Sequence, residues 1–174
     1  MLDGIRLSIR VVCLGWHWFA YKYSKTRDDC DHLACKLFPT ELDELASRAL
    51  AVTLPQYQQS LPDVAIINCY GQGAKLGMHQ DKSESQTVRN AGSPIIISIS
   101  LGDTCLFRFG NAENRNGTHQ DIELKSGDLF VFGGASRMAF HSVMKVYSGT
   151  APSELGMRTG RLNITIRETG FGLQ

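Results

Sequence analysis

The chain has 174 residues, 43% of them hydrophobic and 20% charged, with a net charge of +1. That is enough apolar material for one domain, spanning 1–174, with a real core, and it excludes both two comfortable domains and a disordered chain. A charge so close to neutral does not advertise a polyanion partner, so any nucleic-acid contact must come from a local patch.

Residues 1–27 form a distinct opening segment. Arg6, Arg10, Lys22, Lys25 and Arg27 outnumber its one acid, Asp3, and are interleaved with Trp16, Trp18, Phe19, Tyr21 and Tyr23. Aromatics among cations suit stacking on unpaired bases in a positive groove. Core aromatics beside surface lysines give the same mixture. The start lacks the apolar segment of a secretory signal, and no later run is long enough to span a bilayer, so no membrane association is expected. Five cysteines (Cys13, Cys30, Cys35, Cys69, Cys105) are an odd count without regular spacing, which points to an intracellular, reducing compartment, cytoplasmic or nuclear. Cys30 and Cys35 with His32 lack a nearby fourth ligand for a structural zinc.

A polar connection over 28–39 leads to an amphipathic helix around 40–51. Thr40 is its expected cap, with Asp43 at the reciprocal capping position. Leu42, Leu45, Ala46, Ala49 and Leu50 repeat with helical spacing and form one apolar stripe. Pro55 and Pro62 bracket the loop that follows.

From Val64 onward the chain reads as strand and turn. Val64–Tyr70, Ile95–Leu101, Cys105–Phe109, Ile122–Leu124, Leu129–Phe132, Val143–Tyr147 and Leu162–Arg167 are rich in β-branched and aromatic residues. The turns between them carry Gly102-Asp103, Asn116-Gly117, Ser126-Gly127-Asp128 and Gly133-Gly134. The expected fold class is α+β, mainly β: a jelly roll with one supporting helix.

His79-x-Asp81 places an imidazole and a carboxylate on one side of an extended segment, because strand side chains alternate. His141 can supply a third ligand from the facing sheet of such a roll. Two His and one carboxylate cap one face of an octahedral iron(II) and leave the other positions open for a co-substrate and dioxygen. His-x-Asp also arises by chance, and lone histidines such as His32 and His119 are commonly surface residues. Downstream, Arg161, Asn163, Thr165 and Arg167 share one strand face, while Leu162, Ile164 and Ile166 share the other. Buried arginines demand carboxylates, and a dicarboxylate such as 2-oxoglutarate satisfies that demand. An edge strand with a solvated polar face is the alternative.

Four segments together resemble the AlkB family of iron(II)/2-oxoglutarate dioxygenases. They are Asn68-Cys69-Tyr70 through His79-Gln80-Asp81-Lys82-Ser83-Glu84; Ser98-Ile99-Ser100-Leu101-Gly102; Gly127-Asp128 through Ser136-Arg137 to His141; and Arg161-x-Asn163-x-Thr165-x-Arg167. They run in the family's order over residues 60–170. The resemblance implies a double-stranded β-helix that oxidatively demethylates N-methylated bases of DNA or RNA with Fe(II), 2-oxoglutarate and O2, releasing formaldehyde, succinate and CO2. By position, His79, Asp81 and His141 correspond to the catalytic iron ligands. Asn68, Tyr70, Arg161, Asn163 and Arg167 correspond to 2-oxoglutarate contacts, with Leu76, Ile96 and Ser98 as pocket wall. Leu14-Gly15-Trp16 followed by Tyr21-Lys22-Tyr23-Ser24 resembles the nucleotide-recognition lid, so residues 1–27 are the candidate lid. Trp16 would stack on the base, and Tyr21 and Tyr23 would touch the backbone. The family's usual N-terminal strand and helix precede the point where this chain starts.

Ser83 stands where repair-type members carry an acid that reads the exocyclic group of the damaged base. His-x-Asp-x-Ser-Glu is closer to the branch acting on other methylated bases, including N6-methyladenine, than to the N1-methyladenine/N3-methylcytosine type. The implied partner is methylated single-stranded or locally unpaired DNA or RNA, met by a monomer. An oxygenase acting on a protein or small molecule, and a non-catalytic nucleic-acid-binding module with a vestigial site, are the alternatives.

Overall fold

A computed structural model describes residues 9–57, 60–85, 88 and 95–172. The start of the opening segment, residues 1–8, lies outside the described residues. The elements in chain order are β1 (Ile9–Leu14), β2 (His17–Phe19), β3 (Lys22–Ser24), α1 (Thr40–Thr53), β4 (Val64–Tyr70), β5 (Leu76–His79), β6 (Ile96–Gly102), β7 (Cys105–Gly110), β8 (His119–Leu124), β9 (Leu129–Phe132), β10 (His141–Val146) and β11 (Arg161–Arg167).

All named pairings are antiparallel. A five-stranded sheet has the order β1-β4-β11-β6-β9, and a four-stranded sheet has the order β5-β10-β7-β8. Tyr70 of the first sheet packs in one cluster with Cys105, Phe107, Leu124, Val143 and Val146 of the second, with Phe130 against them. The two sheets therefore share an apolar interior, which is the jelly roll the turn spacing implies.

The larger sheet is covered on its outer face by α1. Ala46, Ala49 and Leu50 pack on Ala65, Ile97, Ile99 and Ile166, so alternate residues of β4, β6 and β11 belong to the helix side. The other set, including Tyr70, Asn68, Ser98, Ser100, Arg161, Asn163 and Thr165, points into the roll.

The helix differs from expectation at both ends and on one face. Pro39, in extended backbone, takes the cap position, and its carbonyl accepts from the Leu42 and Asp43 amides. Thr40 is the first helical residue and makes no side-chain cap, and the helix runs on to Thr53. Leu45 is 37% exposed, outside the stripe; Ala46, Ala49 and Leu50, with Leu42 partly buried beside them, seat the helix on the sheet.

Four short strands went unread in the sequence pattern. β1 lies along the edge of the large sheet and pairs with β4 from Ile9↔Tyr70 to Leu14↔Ala65. Its exposed Val11 and Val12 obscure the alternation that marks a half-buried strand. β2 and β3 form a separate hairpin, and β5 carries too few apolar residues to register. Gly15 joins β1 to the hairpin at φ +83°, where a Cβ would overlap the Asp63 carbonyl. Only glycine allows the chain to turn there and send Trp16 back over the sheet.

Candidate metal centre

His79 ends β5 and His141 begins β10, and the two are direct partners in that ladder. The expectation that His141 arrives from the facing sheet is therefore corrected: it comes from the neighbouring strand of the same sheet. Paired residues in an antiparallel ladder project to the same side, and the imidazole centroids lie 4.3 Å apart. Asp81 follows two residues after His79. Its Oδ1 is 3.8 Å from His79 Nε2, and its Oδ2 is 3.6 Å from His141 Nε2. The candidate ligand atoms of all three lie within 4.8 Å of one another, the one such trio of His, Cys, Asp or Glu among the described residues.

Both rings are oriented from behind. His79 Nδ1 donates to the Gly77 carbonyl at 2.8 Å, and His141 Nδ1 donates to the Ala139 carbonyl at 3.0 Å. Each bond fixes the tautomer that leaves Nε2 with its lone pair toward the site, as metal-binding histidines require. Phe132 and Phe107 crowd His141 with ring centroids at 5.4 and 5.9 Å, giving it an apolar surround.

Electrostatics favour the same state. Burial alone would raise the Asp81 pKa, but the Arg167 guanidinium and the two imidazoles outweigh it and hold the carboxyl well below its ordinary range. Burial lowers the His79 pKa, and the neighbouring His141 lowers it further. A carboxylate beside a neutral imidazole is the protonation state that accepts a divalent cation.

Asn68, Tyr70, Leu76, Asn163 and Arg167 line the same small cavity as the three ligands. Phe107, Ser142, Val143 and Thr165 line it too and were not singled out from sequence as site residues. Ser98 lies behind Asn163 and accepts its Nδ2 at 2.6 Å. Ile96 is fully buried opposite Phe132, whose ring contacts His141.

The two arginines of β11 have different surroundings. Arg167 Nη2 meets Asp81 Oδ2 at 2.8 Å, and its Nη1 meets Glu84 Oε1 at 3.2 Å. Arg161 is 2% exposed and donates to Ser100 Oγ at 2.7 Å and to the Asp103 carbonyl, but no carboxylate lies within ion-pair distance among the described residues. Its Nε has no hydrogen-bond partner among the described residues. Burial draws its pKa down, opposed mainly by Cys105 and Tyr70. Ser100, the missed partner, was accessible to sequence reasoning: it shares the inward face of β6 with Ser98, at the next alternate position.

The opening segment reaches this centre through its hairpin. Trp18 Nε1 donates to Ser83 Oγ at 3.0 Å, two residues beyond Asp81. Tyr23 is half-buried with its ring near Phe171, and its enclosed hydroxyl is pushed to a higher pKa by burial, with Arg167, Glu84 and Asp81 as charged neighbours. Trp16 is tied elsewhere. Its indole N–H donates to Asp63 Oδ2 at 3.0 Å, and Lys25 Nζ sits 3.5 Å above its ring. Tyr21 is 77% exposed at the tip, in the left-handed backbone region.

A model of the 2OG-Fe(II) oxygenase superfamily matches residues 2–167. The Escherichia coli (strain K12) alpha-ketoglutarate-dependent dioxygenase AlkB is 35% identical over 159 residues, covering 90% of this chain and 68% of that protein. The chain belongs to the AlkB family. The Arabidopsis thaliana DNA N(6)-methyladenine demethylase ALKBH1C is 32% identical over 95% of this chain, and the chain spans only 40% of that relative's length. The solved structure of OsALKBH1 superposes with a TM-score of 0.83 at 32% identity, covering 93% of this chain and 79% of that one. The jelly roll is thus the AlkB-family fold. No helix among the described residues is long and apolar enough to cross a membrane.

The donor set fits the cofactors the family name carries. Two imidazole nitrogens and one carboxylate suit iron(II), and a buried cation with no counter-ion among the described residues suits a dicarboxylate.

Proposed function

We propose that this protein is an Fe(II)/2-oxoglutarate-dependent dioxygenase that oxidatively demethylates N-methylated bases of DNA or RNA. The observation that carries this reading is an oriented His79/Asp81/His141 trio on the four-stranded sheet, faced across the roll by the inward side of β11, which carries the buried Arg161 with no carboxylate in ion-pair distance among the described residues. In this reading His79, Asp81 and His141 hold the iron. Arg161 takes the distal carboxylate of 2-oxoglutarate, and Asn68, Tyr70, Leu76 and Asn163 border the co-substrate, with Ile96 and Ser98 behind them. Arg167, which lines the cavity as well, borders the co-substrate and, paired with Asp81 and Glu84, also holds Asp81 ionised.

Bound iron, 2-oxoglutarate and O2 together supply the oxidation that hydroxylates an N-methyl carbon, after which formaldehyde leaves and succinate and CO2 are the co-products. The chain does the rest. Nδ1 bonds to Gly77 and Ala139 aim the two imidazoles, the ring cluster around His141 excludes water, and Arg161 orients the acid.

The base reaches the site unpaired, from a single strand or a flipped position. Residues 1–27 act as the lid of a single oxygenase domain. Tyr21 is the outermost contact, Tyr23 and Ser83 lie at the inner end of the hairpin, and Trp16 stacks on the base once Lys25 leaves its face. Ser83, a neutral hydroxyl already bonded to Trp18, lacks the charge that would attract a cationic N1-methyladenine or N3-methylcytosine. That favours a neutral base such as N6-methyladenine, in keeping with the printed name of the Arabidopsis relative. The protein works as a monomer in a reducing compartment, cytoplasmic or nuclear, and its five thiols are unpaired.

The test is coupled turnover. Formaldehyde and succinate should form together from a methylated oligonucleotide, only with iron and 2-oxoglutarate, and His79→Ala or Asp81→Ala should stop both. Succinate without formaldehyde on every methylated oligonucleotide would reject the nucleic-acid reading.

A further inference from the structure

Glu84 and Arg137 do not line the cavity, yet they form a closed ionic ring with two residues that do. The Glu84 side chain has no solvent exposure, and those of Arg137 and Arg167 are 5% exposed. Arg137 Nη2 lies 2.6 Å from Glu84 Oε2, and Arg167 Nη1 lies 3.2 Å from Glu84 Oε1. The ring closes on Asp81 twice. Arg137 Nη1 donates to the Asp81 backbone carbonyl at 2.5 Å, and Arg167 Nη2 donates to its carboxylate Oδ2 at 2.8 Å. Two cations and two anions thus sit in one dry cluster, and the backbone and side chain of Asp81 are gripped independently.

A buried charge cluster of this kind is weak evidence for stability, since apolar packing of similar volume would serve as well or better. Its geometry gives it another use. Without Glu84, Arg167 could turn both its nitrogens onto Asp81 and take both oxygens, as guanidinium–carboxylate forks do. Glu84 draws one arm of the fork away, so Arg167 occupies Oδ2 alone and Oδ1, which faces His79, stays free. Arg137 meanwhile fixes the peptide that follows the carboxylate.

We propose that Glu84 and Arg137 are positioning residues that set Asp81 as a one-oxygen metal ligand, Glu84 by dividing Arg167 between two carboxylates and Arg137 by anchoring the Asp81 carbonyl. The inference rests on the reading of His79, Asp81 and His141 as metal ligands. Outer-sphere partners of metal ligands commonly govern affinity by roughly 10–100-fold.

Cobalt(II) titrated into chelator-treated protein tests it, followed by calorimetry and by the visible absorption of the bound ion, with the thermal midpoint of each metal-free variant measured alongside. Glu84→Gln should weaken cobalt binding by roughly 10–100-fold and change the absorption band. The double variant Glu84→Gln/Arg137→Gln removes one charge of each sign; it should recover most of the midpoint but not the affinity. Arg137→Lys keeps every charge but cannot reach Glu84 and the Asp81 carbonyl together. It should bind several-fold more weakly at an unchanged midpoint, and it decides the matter if the double variant does not fold. Wild-type affinity and spectrum in folded variants would overturn the positioning role. Failure of the wild-type chain to bind cobalt would instead overturn the metal-centre reading.

Discussion

His79 and His141 are cross-strand partners at the mouth of the β5–β10 ladder, so two imidazoles far apart in the chain are brought together by backbone register. The ladder shifts register immediately after that pair, between His141 and Val143. The histidines are held by strand pairing and by carbonyls of their own segments, and removing one should leave the fold intact. His79→Ala should lose measurable cobalt binding while its metal-free unfolding free energy, from urea titration, changes by less than about 1 kcal/mol, as for other partly exposed positions. Retained binding in the folded variant would show that the ligand set is wrong.

Arg161 makes a prediction with two opposite signs. As a buried cation with no counter-ion among the described residues it opposes folding of the free protein, so Arg161→Met should stabilise the metal-free chain by about 1–4 kcal/mol in urea unfolding. The same change should raise the KM for 2-oxoglutarate by about 10–100-fold, the value of a charge-assisted hydrogen-bonded pair, and leave cobalt affinity unchanged. A destabilised variant with normal KM would mean that Arg161 is structural.

Acid should weaken the metal-free protein in two stages. The His79 pKa is lowered by burial and by His141, so on acidification the unfolded imidazole is protonated first, from about its ordinary value of 6.5. The Asp81 pKa is held down by Arg167 and the imidazoles against the opposing effect of burial, so its contribution is present above about 3.8 and lost as pH falls through the lower, folded value. Urea midpoints across this range should fall below about pH 6.5 and again below about 3.8. His79→Ala should flatten the first stage and Asp81→Asn the second. Variant profiles parallel to wild type would contradict the assignment.

Leu50 tests the support under the site. It is 1% exposed in the cluster that joins α1 to β4, β6 and β11. Leu50→Ala should cost about 2–5 kcal/mol by denaturant titration, with cobalt affinity unchanged in the folded fraction. A loss of affinity in the folded fraction would show that α1 shapes the site directly.

The core strands and the metal trio were legible because each carries a short-range signature. β4 and β9 show in β-branched and aromatic runs, the ligands in His-x-Asp, and the inward face of β11 in alternate polar residues. Long-range relations were not. Nothing local indicates that β10 lies beside β5, and the sequence pattern therefore points His141 to the facing sheet, whereas the fold puts it beside His79. Nor does an arginine announce its partner: Arg161 and Arg167 look equivalent in the repeat, and only the fold gives Arg167 two carboxylates and Arg161, among the described residues, none. Pro39 displaced Thr40 as the helix cap because a free carbonyl, which proline retains, was all the position needed.

The central claim is removal of a methyl group from a nucleic-acid base. It is tested most directly by mass spectrometry of single- and double-stranded oligonucleotides carrying N6-methyladenine, N1-methyladenine or N3-methylcytosine, incubated with the protein, iron(II), 2-oxoglutarate and ascorbate. The account predicts loss of the methyl group from at least one single-stranded substrate, N6-methyladenine foremost, and none with Asp81→Ala. Unchanged masses across the whole panel, from protein that binds iron and turns 2-oxoglutarate into succinate, would contradict it.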